Sequence, residues 1–292
     1  MNNQNEILQK QNDRKMLECQ FAARHFYNTA ERCSIIAFSC AIVSLSAVFL
    51  PKGASSAYST ATYIIPLLLD AISIVYYWRM EVSVSSAAIL RNYFDEIVLG
   101  LKTATNSNND ICRIKRLIID ATKKNEKEWK VQVTNTGKDT PPGVKDWYQF
   151  SQQYTKSDAV FECQKQNCMW NRALSRRRVR NSVVALLLCI ILCFICGYLF
   201  HVSIPRIILC LFSAILTLSN RLIENIKYIR LSIKIDDICE MLEVSKNNVH
   251  IFSLQKLICQ RRELNVVESN RIHRKHSKSL SEMYEQITQQ DD

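Results

Sequence analysis

Three side-chain amides in the middle of the chain have the spacing of one helix face. Gln164, Asn167 and Asn171 lie three and four residues apart, so a helix would place them one above the other. Amide groups both donate and accept hydrogen bonds, which suits the base edges or the sugar of a nucleotide. Amides also tie a helix to its neighbours in a bundle, and the spacing alone is compatible with either role.

An arginine run follows these amides. Arg176, Arg177 and Arg178 stand just before a long apolar segment, and guanidinium groups bind phosphate oxygens through paired hydrogen bonds. A basic cluster beside a membrane span also binds acidic lipid headgroups, and the topology of a membrane protein alone would place one there. The run is therefore a candidate for binding either nucleotide phosphates or lipid.

One carboxylate interrupts the apolar segments. Asp70 is the only charged residue between positions 54 and 78, and a carboxylate deep in a membrane is unfavourable unless it is paired or faces water. Asp70 therefore either lines a pore or makes a hydrogen bond between helices, and the sequence leaves both roles open.

Sequence motifs of the common enzyme classes are missing. The chain has no glycine-rich phosphate loop, no HExxH or GxSxG motif and no pair of CxxC motifs. Cys189, Cys193 and Cys196 lie in an apolar run with no histidine or carboxylate nearby, so we interpret them as packing residues. His273 and His276 share a helical face but belong to a basic tail without a further ligand. We expect no catalytic residue, no metal ion and no cofactor.

Four apolar runs position these residues. Residues 33–50, 54–78, 181–200 and 202–220 can each span about 30 Å of hydrocarbon, since a helix rises roughly 1.5 Å per residue. Runs of this length with at most one charge are rare in the helices of soluble proteins. Short turns separate the first run from the second and the third from the fourth, so each pair predicts a transmembrane helical hairpin.

The distribution of cations predicts the orientation. Arginines and lysines flank the outer ends of both hairpins, whereas the two short turns carry only Lys52 and Arg206. By the positive-inside rule the turns are extracytoplasmic and both termini are cytoplasmic. These flanks account for most of the net charge of +11, so we expect no DNA or RNA polymer as a partner. The predicted segments are a cytoplasmic N-terminal helix 1–32, hairpin 1 at 33–78, a cytoplasmic middle region 79–180, hairpin 2 at 181–220 and cytoplasmic C-terminal helices 221–292.

The cytoplasmic segments are also predicted to be helical. Residues 110–131 have the pattern of an amphipathic helix, 135–143 that of a loop, and a new helix begins near position 157 and runs into the third span. The fourth helix continues beyond position 220, and a last helix covers 253–268. The fold class is thus an all-α membrane protein: two transmembrane helical hairpins with a helical cytoplasmic domain built from the middle segment and the C-terminal tail.

Short motifs in this cytoplasmic region resemble one known family. The motifs are Phe94-Asp95, Trp147-Tyr148, Cys163-Gln164-x-x-Asn167, Trp170 followed by a polar residue, and Leu174-x-Arg176-Arg177. They resemble the SMODS-associating four-transmembrane effectors, which are found beside bacterial nucleotide second-messenger synthases. Asn171 stands where that family usually has an acidic residue, and the family's Pro-Trp-Asn segment is missing near Leu101.

The resemblance implies a membrane effector of bacterial anti-phage, or abortive infection, immunity. Such a protein would oligomerise and permeabilise the inner membrane when a cyclic oligonucleotide from a neighbouring nucleotidyltransferase appears. Four thin helices cannot enclose a wide channel, so this function requires several copies of the chain together with the lipid bilayer. Two alternatives remain open: a non-catalytic scaffold or sensor that binds a protein partner, and a small ion channel or transporter.

The predicted topology can be tested with single cysteines in a background from which the 12 native cysteines are removed. Cysteines at Lys52 and His201 should react with a membrane-impermeant thiol reagent added outside spheroplasts, because both turns are extracytoplasmic. Cysteines at Gln149 and Gln260 should not react until the membrane is opened. Labelling of Gln149 from outside would contradict the topology.

Overall fold

The computed structural model describes residues 3–46, 56–102, 108–150, 154–199, 204–245 and 247–267. In these ranges the chain is helical and has no strand, apart from one isolated bridge between Thr136 and Lys145. The helices are α1 Asn3–Gln11, α2 Arg14–Ser46, α3 Ser56–Leu99, α4 Asn108–Lys124, α5 Glu126–Gln132, α6 Lys156–Leu199, α7 Ile204–Val244 and α8 Asn248–Arg262.

The helices α2 and α3 pack against each other in an antiparallel pair. The Ser44 hydroxyl donates to the carbonyl of Pro66 at 3.4 Å, and the Ser73 hydroxyl donates to the carbonyl of Ala37 at 2.9 Å. Small side chains let the two backbones approach this closely. The buried small residues of α2 along this contact are Ala30, Cys33, Ala37, Ala41 and Ser44.

The helices α6 and α7 form a second antiparallel pair. Lys165 of α6 makes an ion pair with Glu243 of α7 at 2.9 Å. At the other end of the pair, Gly197 packs so tightly that a Cβ atom would lie 2.4 Å from Ile207 Cδ1. A larger residue at Gly197 would therefore require the end of the Ile207 side chain to move.

An apolar belt of exposed side chains surrounds the far ends of both pairs. Trp78, Phe194, Tyr198 and Phe212 are each exposed by more than 60 %, which a water-facing surface rarely tolerates over so large an area. Among the described residues, the helical segments Arg14–Ser46 and Val179–Leu199 are long and apolar enough to cross a membrane. Further belt residues are Ile64, Ile65, Leu67, Leu68, Leu187, Leu188, Ile191, Leu192 and Ile208.

The main core lies at the opposite end, where the shorter helices gather. Its largest fully buried apolar side chains come from α2, α3, α7, α8 and the segment before α6. They are Phe21, Leu90, Phe94, Tyr148, Ile235, Leu242, Leu254 and Ile258. This end is a packed helical bundle, and the apolar belt continues from it on the long helices.

Several predicted elements agree with the structure. Helix α6 begins at Lys156, next to a reciprocal cap in which Thr155 and Asp158 bond each other's side chains and backbone amides. It runs on without a break through the third apolar run as far as Leu199. Helix α7 likewise continues from the fourth apolar run to Val244.

Other predicted boundaries were wrong. The single helix predicted over 110–131 is divided at Asn125, whose side chain donates to the carbonyl of Ala121 at 3.0 Å and contacts His25. The last helix, predicted over 253–268, begins at Asn248 because the Asn247 side chain caps it. It ends at Arg262.

The N-terminal segment also differs from the single helix predicted over 1–32. Helix α1 ends at Gln11 and α2 begins at Arg14. At this break Asn12 exchanges hydrogen bonds with the side chain and backbone amide of Asp146. The predicted turn residues Lys52 and His201, and the tail residues His273 and His276, lie outside the described residues.

A buried polar network as the candidate functional site

A buried carboxylate on α3 organises the bundle in which the shorter helices gather. Asp95 is 1 % exposed, and its Oδ2 pairs with Arg262 Nη1 of α8 at 2.8 Å. The Tyr148 hydroxyl donates to Asp95 Oδ1 at 2.6 Å, and Gln255 Nε2 donates to Asp95 Oδ2 at 3.1 Å. One carboxylate thus joins α3, α8 and the segment before α6. We call the set Asp95, Tyr148, Gln164, Asn167, Gln255 and Arg262 the Asp95 network.

The charges in this network compensate each other. Burial by itself would lower the pKa of Arg262, but the neighbouring Asp95 carboxylate raises it, and the net pKa lies above its ordinary value. Burial and the Asp95 charge both raise the pKa of Tyr148 well above its ordinary value. The guanidinium therefore stays charged and the phenol stays protonated, so both donate to Asp95.

Two of the three predicted amides belong to this network. Gln164 is fully buried, and its Nε2 donates to the carbonyl of Ile251 at 3.2 Å and to Gln255 Oε1 at 3.0 Å. Asn167 Nδ2 donates to the Tyr148 hydroxyl at 2.8 Å. In this conformation, then, the helix face that carries both amides turns towards α8 and Tyr148.

The other predicted residues lie elsewhere. Asn171 and Arg176–Arg178 continue the same helix α6, and their side chains lie outside the described part of the chain. Asp70 is half-buried on α3, in the apolar belt and apart from the Asp95 network. Within the described ranges, no three His, Cys, Asp or Glu side chains converge as metal ligands would.

The end of α1 clamps the tyrosine of the network. Gln11, only 2 % exposed, donates its Nε2 to the carbonyl of Tyr148 at 3.1 Å. The Tyr148 backbone amide donates back to Gln11 Oε1 at 2.7 Å. The Gln11 side chain therefore satisfies both backbone groups of Tyr148, as a neighbouring strand would. It holds the irregular segment around Tyr148 in place.

A second guanidinium lies beside the network. The Arg91 guanidinium stands 4.0 Å from the centroid of the Trp147 ring and donates to Gln20 Oε1 at 2.5 Å. Burial, and then the nearby Arg262 charge, lower the pKa of Arg91. Two buried amide atoms here, Gln20 Nε2 and Gln164 Oε1, have no hydrogen-bond partner within the described part of the chain. Such atoms are uncommon in native interiors, and they leave this region short of full hydrogen bonding.

A C-terminal strap, residues 263–267, connects the bundle to the long helices. The Asn265 backbone amide donates to Glu224 Oε2 of α7 at 3.1 Å, and its Nδ2 donates to Glu81 Oε1 of α3 at 2.9 Å. Val267 packs on a small apolar cluster that includes Ala30 of α2 and Val84 of α3. The strap therefore touches both helix pairs at the base of the apolar belt.

Sequence reasoning found some of these residues and missed others. The short motifs contained Asp95, Tyr148, Gln164 and Asn167, but no local pattern distinguishes Arg262 from the other arginines of the C-terminal region. Gln11, Gln255 and Asn265 were missed as well. The signal available in the sequence was the number of amide side chains on two helices that also bury apolar faces. This number does not show which groups the amides bind.

We expect Asp95→Ala to destabilise the bundle, because it leaves the Arg262 guanidinium buried without its partner. The loss should be about 3 to 5 kcal/mol, so the backbone amides of α8 should exchange with deuterium more than about a hundredfold faster. Asp237→Ala removes an exposed aspartate and serves as the matched control, with almost no change. Equal exchange in the two variants would contradict a central role for Asp95.

Comparison with known proteins agrees with this arrangement. The family model described as "SMODS-associating 4TM effector domain" matches residues 5–290, nearly the whole chain. No curated protein and no solved structure matches the chain. The motif residues that suggested the resemblance, Asp95, Tyr148, Gln164 and Asn167, meet in one buried network. The chain therefore belongs to the family of SMODS-associating effectors with four transmembrane segments.

Proposed function

We propose that this protein is a non-enzymatic membrane effector of bacterial anti-phage, or abortive infection, immunity. It senses a cyclic oligonucleotide made by a neighbouring nucleotidyltransferase, oligomerises and permeabilises the inner membrane. The family description names an effector associated with such synthases. The observation that carries the proposal is the continuity of the long helices: α3 and α6 run unbroken from the Asp95 network into the apolar belt, and α7 runs there from the core beside that network.

The apolar belt supports a position in the lipid bilayer. Its side chains face outward on all four long helices, and hydrocarbon is the environment that favours such a surface. The N-terminal helix α1 and the strap lie on the same side of the belt, since Gln11 contacts Tyr148 and Asn265 contacts Glu81. This supports a multi-pass protein with both termini in the cytoplasm.

The buried cations support an anionic ligand. Arg261 and Arg262 lie at the end of α8, and Arg91 lies beside them on α3, whereas Asp95 is the carboxylate that pairs with Arg262. A phosphodiester would balance this excess of guanidinium groups, and the unpartnered atoms of Gln20 and Gln164 would suit its bases or sugars. The described part of the chain is closed around these groups, so the ligand would bind an opened bundle.

Opening of the bundle by ligand is a shift between two states. A ligand moves such an equilibrium only by binding the open state more tightly than the closed one. The Asp95 network and the neighbouring Gln20 contain the groups that such a ligand would bind. Movement of α3, α6 and α7 would then change how the helix pairs pack in the membrane and against other copies of the chain.

A protein-binding scaffold or sensor is the second candidate function. One observation favours it: apolar side chains are exposed where α7 meets α8, far from the apolar belt. Val244 is 90 % exposed, and Met241, Val249 and Phe252 are exposed beside it in the sequence. Exposed apolar groups on a cytoplasmic surface are typical of contacts with another protein.

We expect depolarisation of the inner membrane when this chain is expressed together with an active cognate synthase. Either gene alone should be tolerated, because the closed bundle is the resting state. A voltage-sensitive dye in intact cells measures the response after induction of the synthase, and DNA and protein integrity are followed in the same culture. Growth arrest at an unchanged membrane potential would exclude the pore and favour the scaffold.

Variants of Asp70 serve as internal controls in that experiment. Asp70→Leu should abolish depolarisation while preserving assembly, since it removes the only charge in the second apolar run. Asp70→Asn should retain part of the response if hydrogen bonding rather than charge matters. Full depolarisation with Asp70→Leu would contradict a role of Asp70 in lining the pore.

The strap gives a separate test of coupling between bundle and membrane helices. Asn265→Ala removes the side-chain hydrogen bond to the Glu81 carboxylate and keeps the backbone bond to Glu224. A hydrogen bond to a charged group is worth about 1.5 to 3 kcal/mol, and its loss weakens the closed state. The synthase level that gives half of the maximal dye response should therefore fall by about tenfold or more. Asn248→Ala, an exposed asparagine at the start of α8, should leave the response unchanged. A response shifted equally in both variants would contradict the strap's role.

A further inference from the structure

Two thiols face each other between α6 and α7 in the cytoplasmic bundle. Cys168 of α6 is 6 % exposed, and its sulfur is hydrogen-bonded to the thiol of Cys239, which is half-buried on α7. The ion pair between Lys165 and Glu243 fixes the same two helices one turn away. Cys168 lies three residues from Lys165 and Cys239 four residues from Glu243, so the register of the two antiparallel helices places both cysteines at the same level. Cys168 belongs to the main core, and Cys239 packs against it.

Arginines surround one of these thiols. Arg261 of α8, only 4 % exposed, hydrogen-bonds the Cys168 sulfur and donates Nη2 to the carbonyl of Asn167 at 3.0 Å. Tyr228 covers the other side of the guanidinium, with its ring centroid 5.5 Å away. Arg261 is thus held against Cys168 by three contacts.

The two thiols differ in acidity. The hydrogen bond from Cys239 lowers the pKa of Cys168, and the charges of Arg261 and Arg262 add to this against the effect of burial. The same hydrogen bond, together with burial, raises the pKa of Cys239. Arg261 is bonded beside Cys168, where its positive charge favours the thiolate, and this contact marks Cys168 as the nucleophile of the pair.

Other buried cysteines of the bundle show the contrast. Burial raises the pKa of Cys19 to about 12 and raises that of Cys163 well above its ordinary value. Such thiols are inert packing groups. Cys168 is buried too, at 6 % exposed, and its partners Cys239 and Arg261 distinguish it from these thiols.

We propose that Cys168 and Cys239 form a site of reversible oxidation by peroxide, which joins α6 to α7 by a disulfide bond. The Cys168 thiolate attacks one oxygen of hydrogen peroxide, the O–O bond breaks, and the hydroxide that leaves takes up a proton to become water. Cys168 is then a sulfenic acid. The Cys239 sulfur attacks the Cys168 sulfur, the S–O bond breaks, and a second water leaves with the Cys239 proton.

The two electrons that reduce peroxide to two waters come from the two thiols. A cellular dithiol restores them by thiol-disulfide exchange. The bond would form next to Asn167, on the two helices that lead into the second half of the apolar belt. Under the proposed function it would restrain opening of the bundle, but the oxidation itself does not depend on that function.

The test uses the full chain in native membranes, treated with hydrogen peroxide and then with N-ethylmaleimide to block the remaining thiols. Trypsin releases Cys168 in peptide 166–172 and Cys239 in peptide 235–246, and each peptide holds a single cysteine. We expect a disulfide-linked pair of these peptides, detected by mass spectrometry and reversed by dithiothreitol, at peroxide concentrations that leave Cys112 free to react. Cys112 is an exposed thiol on α4 and serves as the control.

Two variants separate the steps. In Cys239→Ser, Cys168 should accumulate as a sulfenic acid that dimedone traps, whereas in Cys168→Ser neither cysteine should be modified. Cys112→Ser should leave the linked pair unchanged. Absence of the linked peptides in the unaltered chain would overturn the proposal whatever the variants do. So would oxidation of Cys168 no faster than that of the fully buried Cys163.

Discussion

The carboxylate of Asp95 is removed from water, and Arg262 neutralises it at 2.8 Å. A lone buried charge is strongly destabilising, so α8 must dock on α3 in the one position that brings its last arginine to this carboxylate. Tyr148 and Gln255 donate further hydrogen bonds to the two oxygens of this carboxylate. The segment before α6 and the end of α8 thus meet at one carboxylate, and Gln11 and the apolar core of α8 hold them there.

The course of the long helices could be predicted from the sequence because it depends on local composition. Apolar runs without breaks continue into amphipathic segments, and the Thr155 and Asp158 cap is visible in the sequence beside the start of α6. The break at Asn125 could not be predicted, since the apolar periodicity of 110–131 passes straight through it. There an amide side chain competes for the carbonyl of Ala121, a choice that tertiary contact with His25 supports.

The candidate site was predictable only in part, because local sequence patterns do not specify tertiary contacts. Helix geometry places Gln164 and Asn167 on one face whatever the fold, so their spacing was a sound indication of a shared environment. What they face depends on long-range packing, and the structure places Gln255 and Tyr148 there. The pairing of Asp95 with Arg262 joins distant parts of the chain. No periodicity links them, and arginines are too frequent in this sequence to single one out.

A polar network suits a switch better than an apolar core does. Apolar side chains lose contacts outright when a bundle opens, whereas hydrogen-bonding groups exchange one partner for another, such as water or a phosphate. Gln20 Nε2 and Gln164 Oε1 have no hydrogen-bond partner among the described residues, so both remain able to bind a further group. The strap connects this bundle to the long helices, so it would transmit a rearrangement of the bundle to the helix pairs. Asn265 is bonded to α3 and α7 at once, so under the proposed function an opening of the bundle would also loosen the contact between the two helix pairs.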